Sequence, residues 1–185
     1  MIVGIDEVGR GCWAGPVVAG AVLLRTPVDG LRDSKKLTKL QRERLDSLVR
    51  TSDASYGVGW VAASEVDVIG LTEAVRLAMA RALAQISDDY DELIVDGSYN
   101  FFPDNIKCRT LVGADNLIPA VSAASILAKV ARDNYMAQMA EVFPGYAFDK
   151  HVGYGTAAHR AALESLGLCE LHRRSVKPVQ VFLAS

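Results

Sequence analysis

Four acidic residues occupy three positions of the sequence, and at each position they follow a short apolar segment, with glycine or alanine nearby. They are Asp6, Glu7, Asp96 and Asp115. Carboxylates that converge repel one another and resist desolvation, and a bound divalent cation removes that penalty. An all-oxygen ligand set favours Mg²⁺ or Mn²⁺ over zinc, and two such ions can serve phosphoryl transfer. The sequence therefore favours a metal-dependent site of this kind, with solvated turn residues as the alternative.

Asp6 and Glu7 are adjacent, so in a regular strand their side chains would face opposite ways. Both reach one site if the strand breaks there, and Gly9 and Gly11 supply such a break. These glycines also flank Arg10, which can meet a phosphate, and a tight backbone can read a ribose 2′-hydroxyl. A Gly-x-Gly turn alone is more often structural than functional.

Basic residues are grouped, although the formal net charge is only −2. A near-neutral chain that binds nucleic acid must use local patches rather than bulk positive charge. Solvated surface is the alternative interpretation of each group. The groups comprise Arg32, Lys35, Lys36 and Lys39, then Lys129 and Arg132, and finally His172, Arg173, Arg174 and Lys177.

Tyr154 lies between two glycines, and an aromatic ring displayed in this way can stack on a sugar or a base. A tyrosine packed within its own loop is the alternative. The histidines show no metal-ligand spacing and are interpreted as structural or phosphate-facing; they are His151, His159 and His172.

The elements that position these residues follow from the apolar spacing. Apolar runs predict strands over 2–5, 17–24, 56–62, 93–95 and 107–112. Helical spacing predicts helices over 33–52, 64–86, 119–143 and 156–166, with Ser64 and Asp67 resembling a capping box. This order favours an α/β fold with a mixed central sheet flanked by helices. Sites in such sheets form beyond the carboxyl ends of the strands.

The 185 residues, 50% of them hydrophobic, are enough for one domain with a buried core. The sequence has no linker, no internal repeat and no apolar stretch of membrane-spanning length. Acidic residues stand near the start, where a secretory signal would have its apolar core. Three scattered cysteines favour reduced thiols, so we expect a cytoplasmic protein without a membrane partner.

Together these segments resemble type 2 ribonuclease H, the ribonuclease HII family. The longest motifs read GIDEVGRG over 4–11 and SAASILAKV over 122–130. The resemblance runs in order over nearly the whole chain. The other matching segments are 14–18, 33–37, 95–97, 114–115, 132–133, 153–156 and 172–175.

The resemblance implies a ribonuclease H-like fold in which 1–185 form one catalytic domain and about 145–185 form a helical, substrate-binding extension. It implies two Mg²⁺ or Mn²⁺ ions held by Asp6, Glu7, Asp96 and Asp115. The family hydrolyses the RNA strand of RNA–DNA hybrids. It also nicks duplex DNA 5′ of a single embedded ribonucleotide, leaving a 3′-hydroxyl and a 5′-phosphate.

The resemblance further implies contacts to nucleic acid. Gly9, Arg10 and Gly11 match the loop that senses the 2′-hydroxyl, and Tyr154 matches the tyrosine that stacks on the following deoxyribose. The expected partners are the hybrid and ribonucleotide-containing duplex DNA, and we expect a monomer. Phosphate contacts are expected from Lys35, Lys36, Lys129, Arg173 and Arg174.

The chain departs from the family pattern at three places. Lysines that are usual in the family are replaced by Leu117 and Val152, and Cys12 and Trp13 form a bulkier pair than usual. Loss of two cations predicts weaker substrate affinity with a flatter salt dependence.

Other nucleases and other functions are alternatives to this interpretation. A junction resolvase or a type 3 ribonuclease H is the main alternative, and the Gly-Arg-Gly loop and Tyr154 favour type 2. A sugar-kinase or actin-like ATPase requires Ser or Thr where Arg10 stands. A catalytically silent binder would not need four acids. Residues 181–185 show no clear sliding-clamp motif.

Overall fold

The computed structural model describes residues 1–183 and places five strands in one mixed sheet. The spatial order is β3-β2-β1-β4-β5; β1 pairs antiparallel with β2 and parallel with β4, which confirms the predicted α/β fold. The outer pairs are β2 with β3, antiparallel, and β4 with β5, parallel. The strands are β1 (Ile2–Val8), β2 (Val17–Leu24), β3 (Ala54–Val61), β4 (Glu92–Asp96) and β5 (Cys108–Leu111).

Eight α-helices occur within residues 1–183, and none of them is both long and apolar enough to cross a membrane. A short 3₁₀ turn over Ser34–Lys36 precedes the first. The helices are α1 (Lys39–Thr51), α2 (Ala63–Ile69), α3 (Leu71–Leu83), α4 (Ala114–Leu117), α5 (Pro119–Val142), α6 (Phe148–His151), α7 (Ala157–Leu166) and α8 (Lys177–Gln180).

Both faces of the sheet are covered, and glycines allow α5 to approach very closely. Val3 and Ile5 of β1 pack in the cluster that contains α3, whereas Val22 of β2 packs against α5. A Cβ on Gly4 would lie 2.3 Å from the backbone of α5, and a Cβ on Gly20 would also lie 2.3 Å from it. Because real side chains do not tolerate such distances, these glycines fix the position of α5 over the sheet.

Three predicted elements differ from the observed ones. The predicted helix over 33–52 begins only at Lys39, after the 3₁₀ turn over Ser34–Lys36. β1 continues to Val8, so Asp6 and Glu7 lie inside the strand, and the chain turns only at Gly9. The predicted helix over 64–86 is two helices, because Gly70 adopts φ +78° between α2 and α3. A left-handed residue ends a helix, and glycine takes that conformation at low cost.

The predicted capping box at Ser64 and Asp67 was wrong. The Glu65 carboxylate accepts a hydrogen bond from the Ala62 amide at 2.9 Å, two residues earlier than expected. Asp67 instead accepts from the amides of Arg174 and Ser175, each at 2.9 Å, and so ties α2 to the C-terminal segment. This pairing spans more than 100 residues, so local spacing carried no sign of it.

Candidate active site

A single pocket at the carboxyl end of β1 brings most of the predicted site residues together. Three of the four predicted acids border it, and so does the glycine-rich loop that follows β1. Four lining residues were not predicted: Val8, Ser34, Arg42 and Ser125. The predicted residues that line the pocket are Asp6, Glu7, Gly9, Arg10, Gly11, Lys35, Asp96, Lys129 and Tyr154.

The fourth acid, Asp115, lies beside this pocket and is linked to it through Asp96. The Asp96 carboxylate, at the end of β4, accepts a hydrogen bond from the Ala114 amide at 2.7 Å. Gly113 precedes that amide in the left-handed conformation, φ +72°, which turns the chain into α4. Asp115 is buried. Burial is the main cause of the raised pKa of its carboxyl group, and the negative charge of Asp96 adds to it.

Asp6 is the most strongly perturbed carboxyl group of the pocket. Burial is the main cause, and the charges of Glu7 and Asp96 add to it, raising the pKa of Asp6 to about 8. Burial also raises the pKa of Glu7, against the opposing effect of Arg10, whose Nη1 lies 3.6 Å from Glu7 Oε1. Ionising these groups together without a cation is therefore unfavourable.

This donor set fits a hard divalent cation, because it consists of carboxylate oxygens whose mutual repulsion a cation would relieve. Within residues 1–183, however, no three acidic, histidine or cysteine side chains are arranged as a ready-made metal site. Asp6, Asp96 and Asp115 each use Oδ1 in a hydrogen bond with the protein. Small side-chain movements are thus needed before the acids share an ion.

Besides Arg10 of the glycine-rich loop, three elements bring positive charge to the pocket. Lys35 comes from the 3₁₀ turn, Arg42 from α1 and Lys129 from α5. The Lys129 ammonium pairs with Asp133 one turn away at 2.8 Å, and Arg42 donates to the Leu37 carbonyl at 2.6 Å. These contacts hold cations at the rim of an acidic pocket. Such a rim is suited to a polyanion that spans the acids.

Two of the other predicted cations lie outside the pocket lining. Lys36 donates to the Asn116 side chain at 2.6 Å, next to Asp115. Arg174 is exposed, and its amide binds Asp67. Both side chains thus lie on the surface without lining the pocket, and Lys36 alone has a contact next to a site acid.

Arg173 does not occupy the place expected of a phosphate contact. Its side chain is fully buried, and burial lowers its pKa to about 10. The guanidinium donates from Nε to the Gly15 carbonyl at 2.9 Å and from Nη1 to the Arg10 carbonyl at 3.2 Å. Arg173 therefore supports the backbone of the glycine-rich loop from the protein interior. The predicted phosphate contact of Arg173 was wrong, because the side chain is fully buried.

A second buried arginine, Arg132 of α5, was not predicted to support this loop. It donates to the carbonyls of Pro16 at 2.9 Å, Val152 at 2.8 Å and Ala14 at 3.1 Å. Its Nε would lie 2.3 Å from a Cβ on Gly9, which also has φ +87°. Gly9 is therefore required by the loop itself, and no local pattern in the sequence identifies the arginine that requires it.

Tyr154 borders the pocket from the C-terminal part of the chain. The residue is 41% exposed, and its amide donates to the His151 carbonyl at 2.9 Å. The neighbouring Gly153 carbonyl accepts from the amides of Trp13 and Ala14, which joins this segment to the glycine-rich loop. An exposed ring on a fixed backbone is suited to stacking.

Comparison with known proteins places the chain in one family. The model of the family described as Ribonuclease HII matches residues 3–179. The Ribonuclease HII of Halorhodospira halophila is 49% identical over 186 residues, covering 98% of this chain and 94% of the relative.

Solved structures share the fold. The RNase HII in the PCNA complex from Archaeoglobus fulgidus matches with a TM-score of 0.81 and 26% identity, covering 99% of this chain and 97% of that one. Bst-RNase HIII, solved in complex with Mn²⁺, matches with a TM-score of 0.74 and 18% identity, covering 99% of this chain and 69% of that one. The α/β fold described above is thus a ribonuclease H fold. The chain belongs to the ribonuclease HII family, and it is a ribonuclease H.

Proposed function

We propose that this ribonuclease H cleaves the RNA strand of RNA–DNA hybrids and also nicks duplex DNA 5′ of a single embedded ribonucleotide. The observation that most directly supports this proposal is that one pocket is lined by Asp6, Glu7 and Asp96 together with the Gly9–Gly11 loop and Tyr154. The acids supply the means of hydrolysis, and the loop and the tyrosine supply the means of recognising a ribose followed by a deoxyribose.

Two Mg²⁺ or Mn²⁺ ions would be held by Asp6, Glu7, Asp96 and Asp115. When bound, such ions activate the attacking water and stabilise the leaving 3′-oxygen. The raised pKa values of Asp6, Glu7 and Asp115 support this assignment, because they mark carboxylates that gain most from a cation. The Mn²⁺ complex of Bst-RNase HIII shows that a protein of the same fold binds a divalent ion.

The residues around the acids orient the substrate. The backbone of Gly9 to Gly11 reads the 2′-hydroxyl, and the Tyr154 ring packs on the deoxyribose that follows. Lys35 and Lys129 hold phosphates at the pocket, and Lys36 and Arg174 do so farther along the duplex. The products are a 3′-hydroxyl and a 5′-phosphate.

Residues 145–185 act in this scheme as a substrate-binding extension of one catalytic domain, because they contribute Tyr154 and Arg174. The segment 181–185, which shows no clear sliding-clamp motif, ends in Ala184 and Ser185, and these two lie outside the described residues. All the proposed contacts come from one chain, so a monomer suffices.

The test uses duplex DNA containing one ribonucleotide and, separately, an RNA–DNA hybrid, each with and without Mg²⁺ or Mn²⁺. We expect a metal-dependent nick on the 5′ side of the ribonucleotide and loss of both activities in Asp96→Asn. Cleavage of the hybrid alone would favour the type 3 enzyme's activity and contradict the single-ribonucleotide part. Undiminished cleavage by Asp96→Asn would contradict the assigned site.

A further inference from the structure

Three histidines form a buried cluster directly behind Tyr154. His151 is 7% exposed, His159 is fully buried and His172 is 2% exposed. The rings of His151 and His159 stack at a centroid distance of 4.4 Å, and those of His159 and His172 lie 5.2 Å apart. Buried polar rings are costly unless their nitrogens are hydrogen-bonded, so the partners of each nitrogen decide what the cluster does.

The hydrogen bonds assign one proton position to each ring of the chain that leads to Tyr154. The Cys169 amide donates to His172 Nδ1 at 2.9 Å, and the Cys169 carbonyl lies farther from the same atom, at 3.2 Å. We therefore assign the proton of the neutral ring to Nε2. That Nε2 lies 3.0 Å from His159 Nε2, which must then accept. His159 therefore carries its proton on Nδ1 and donates to the Tyr154 carbonyl at 2.9 Å.

Both rings are neutral in this arrangement. Burial lowers the pKa of His159. Burial, together with the repulsion that would arise if both rings were protonated, lowers the pKa of His172 to about 4. An extra proton would place two N–H groups against each other between the rings, which is repulsive. The chain of donors is thus directional, running from Cys169 through His172 and His159 to Tyr154.

His151 completes the support of the same segment. It accepts from the Gly153 amide at Nδ1, 3.2 Å away, and its Nε2 is paired with the Tyr146 carbonyl at 2.7 Å. Its own carbonyl accepts from the Tyr154 amide at 2.9 Å. The amide of Tyr154 is therefore held by His151, and its carbonyl is held by His159 together with the Thr156 amide, which donates to it at 2.9 Å.

Trp13, one of the departures from the family pattern, encloses the cluster. Its ring lies 5.5 Å from that of His159, and a Cβ on Gly155 would lie only 2.0 Å from it. The indole therefore packs against the backbone that follows Tyr154 and against His159, one of the two rings of the hydrogen-bonded His172–His159 pair, which we call the relay. This packing excludes water from the histidine chain and limits the freedom of the loop.

We propose that His159 and His172 are positioning residues, which hold the Tyr154 backbone so that its ring meets the deoxyribose after the scissile ribonucleotide. This inference rests on the proposed stacking role of Tyr154. A purely structural role would lower cleavage of every substrate alike. A positioning role lowers cleavage most where the sugar that meets Tyr154 is a deoxyribose.

The test compares kcat/KM for a duplex with one ribonucleotide against kcat/KM for a uniform RNA–DNA hybrid. His159→Phe keeps a ring but loses both hydrogen bonds, and we expect about a tenfold larger loss on the single-ribonucleotide duplex than on the hybrid. His159→Asn places an amide nitrogen near the position of Nδ1 and should recover most of that loss. Equal losses on the two substrates, or no rescue by Asn, would overturn the proposal.

His172→Gln provides a second test if His159→Phe folds poorly. Its amide can replace the donor that Nε2 supplies to His159. His172→Gln should therefore retain the substrate preference, which is the ratio of kcat/KM on the single-ribonucleotide duplex to kcat/KM on the hybrid, whereas His172→Phe should not. Loss of the preference in both variants, or in neither, would contradict a relay through this nitrogen. Thermal unfolding of each variant establishes that the compared proteins are folded.

Tyr154→Ala separates failure of the relay from failure of the proposed stacking. If Tyr154→Ala leaves the preference unchanged, the stacking role itself is wrong. If Tyr154→Ala removes the preference and His159→Phe does not, only the relay is wrong. In the double variant, His159→Phe should cost nothing further in preference, because it acts through Tyr154. An undiminished effect in that background would contradict the relay.

Discussion

Nη1 of Arg173 lies 3.2 Å from the carbonyl oxygen of Arg10, so an arginine near the C-terminus holds the glycine-rich loop near the N-terminus. The same guanidinium donates to the Gly15 carbonyl at 2.9 Å. The loop that is proposed to sense the ribose is therefore shaped by a buried charge 163 residues away in sequence.

Replacing Arg173 by Met should destabilise the protein, whereas replacing its neighbour Arg174 by Met should not. Arg173→Met removes the donor to the buried Gly15 carbonyl and the donor to the part-buried Arg10 carbonyl, which costs about 2–3 kcal/mol in the free energy of unfolding. Arg174 is exposed, so Arg174→Met should change the free energy of unfolding by less than about 0.5 kcal/mol. The same variant should reduce the slope of log affinity against log salt concentration by about one. Denaturant unfolding and binding at several salt concentrations measure both effects. A salt effect of equal size in Arg173→Met would contradict the assignment of Arg173 as a buried support that does not contact phosphate.

Gly9 and Gly11 should respond differently to alanine, although the motif treats them alike. A Cβ on Gly9 meets Arg132 at 2.3 Å and φ is +87°, so Gly9→Ala should lower both stability and activity. A Cβ on Gly11 meets nothing within 4 Å in the protein. Gly11→Ala should therefore keep the melting temperature and lose cleavage, because the added methyl obstructs the substrate. Full cleavage by Gly11→Ala would show that no substrate backbone approaches this residue closely.

The sequence was most informative where chemistry and local order coincide. Apolar runs ending in Asp6, Glu7 and Asp96 indicated both the strands and the acids, because parallel strands bring their carboxyl ends together. Arg173 was misassigned because its neighbours are basic and polar, a composition typical of surfaces. Its burial depends on carbonyls of residues 10 and 15, and pairings over such distances leave no local pattern.

Asp6→Asn should stabilise the metal-free protein while abolishing cleavage. The substitution removes a carboxylate whose charge is opposed by burial and by Glu7 and Asp96, so the melting temperature should rise by several degrees. Mg²⁺ or Mn²⁺ should raise the melting temperature of the wild type and have little effect on the variant. Asp149→Asn, an exposed carboxylate of α6 paired with Lys150, is the matched control and should change neither property. Equal stabilisation of wild type and Asp6→Asn by the ions would place the metal elsewhere.

Leu117→Lys should strengthen substrate binding. Leu117 is 65% exposed at the end of α4, two residues after Asp115, so a lysine there can reach a phosphate without disturbing the core. One added phosphate contact should increase the slope of log affinity against log salt concentration by about one, and the gain in affinity should be largest at low salt. Leu117→Gln controls for polarity without charge. Val152 is a less suitable site, because it has φ +43° and its carbonyl binds Arg132. An unchanged slope in Leu117→Lys would show that the missing lysine costs no phosphate contact.

His172 should make the protein less stable as the pH falls below about 6.5. Its pKa is lowered from 6.5 to about 4 in the folded state, by burial first and then by the charges of His159 and His151. The Tyr146 ring and the Cys169 backbone also face it and carry no compensating negative charge. Between these two pH values the unfolded chain binds a proton that the folded chain excludes, so acid favours unfolding.

The measurement is the difference in melting temperature between wild type and His172→Gln as a function of pH. The wild type's stability relative to the variant should be fully present above about pH 6.5 and should decline as the pH falls through the folded pKa of about 4. Taking the difference removes contributions from Asp6 and the other acids, which the two proteins share. A difference that does not change between pH 7 and pH 4 would show that His172 is protonated as readily in the folded protein as in the unfolded chain, contrary to the neutral relay.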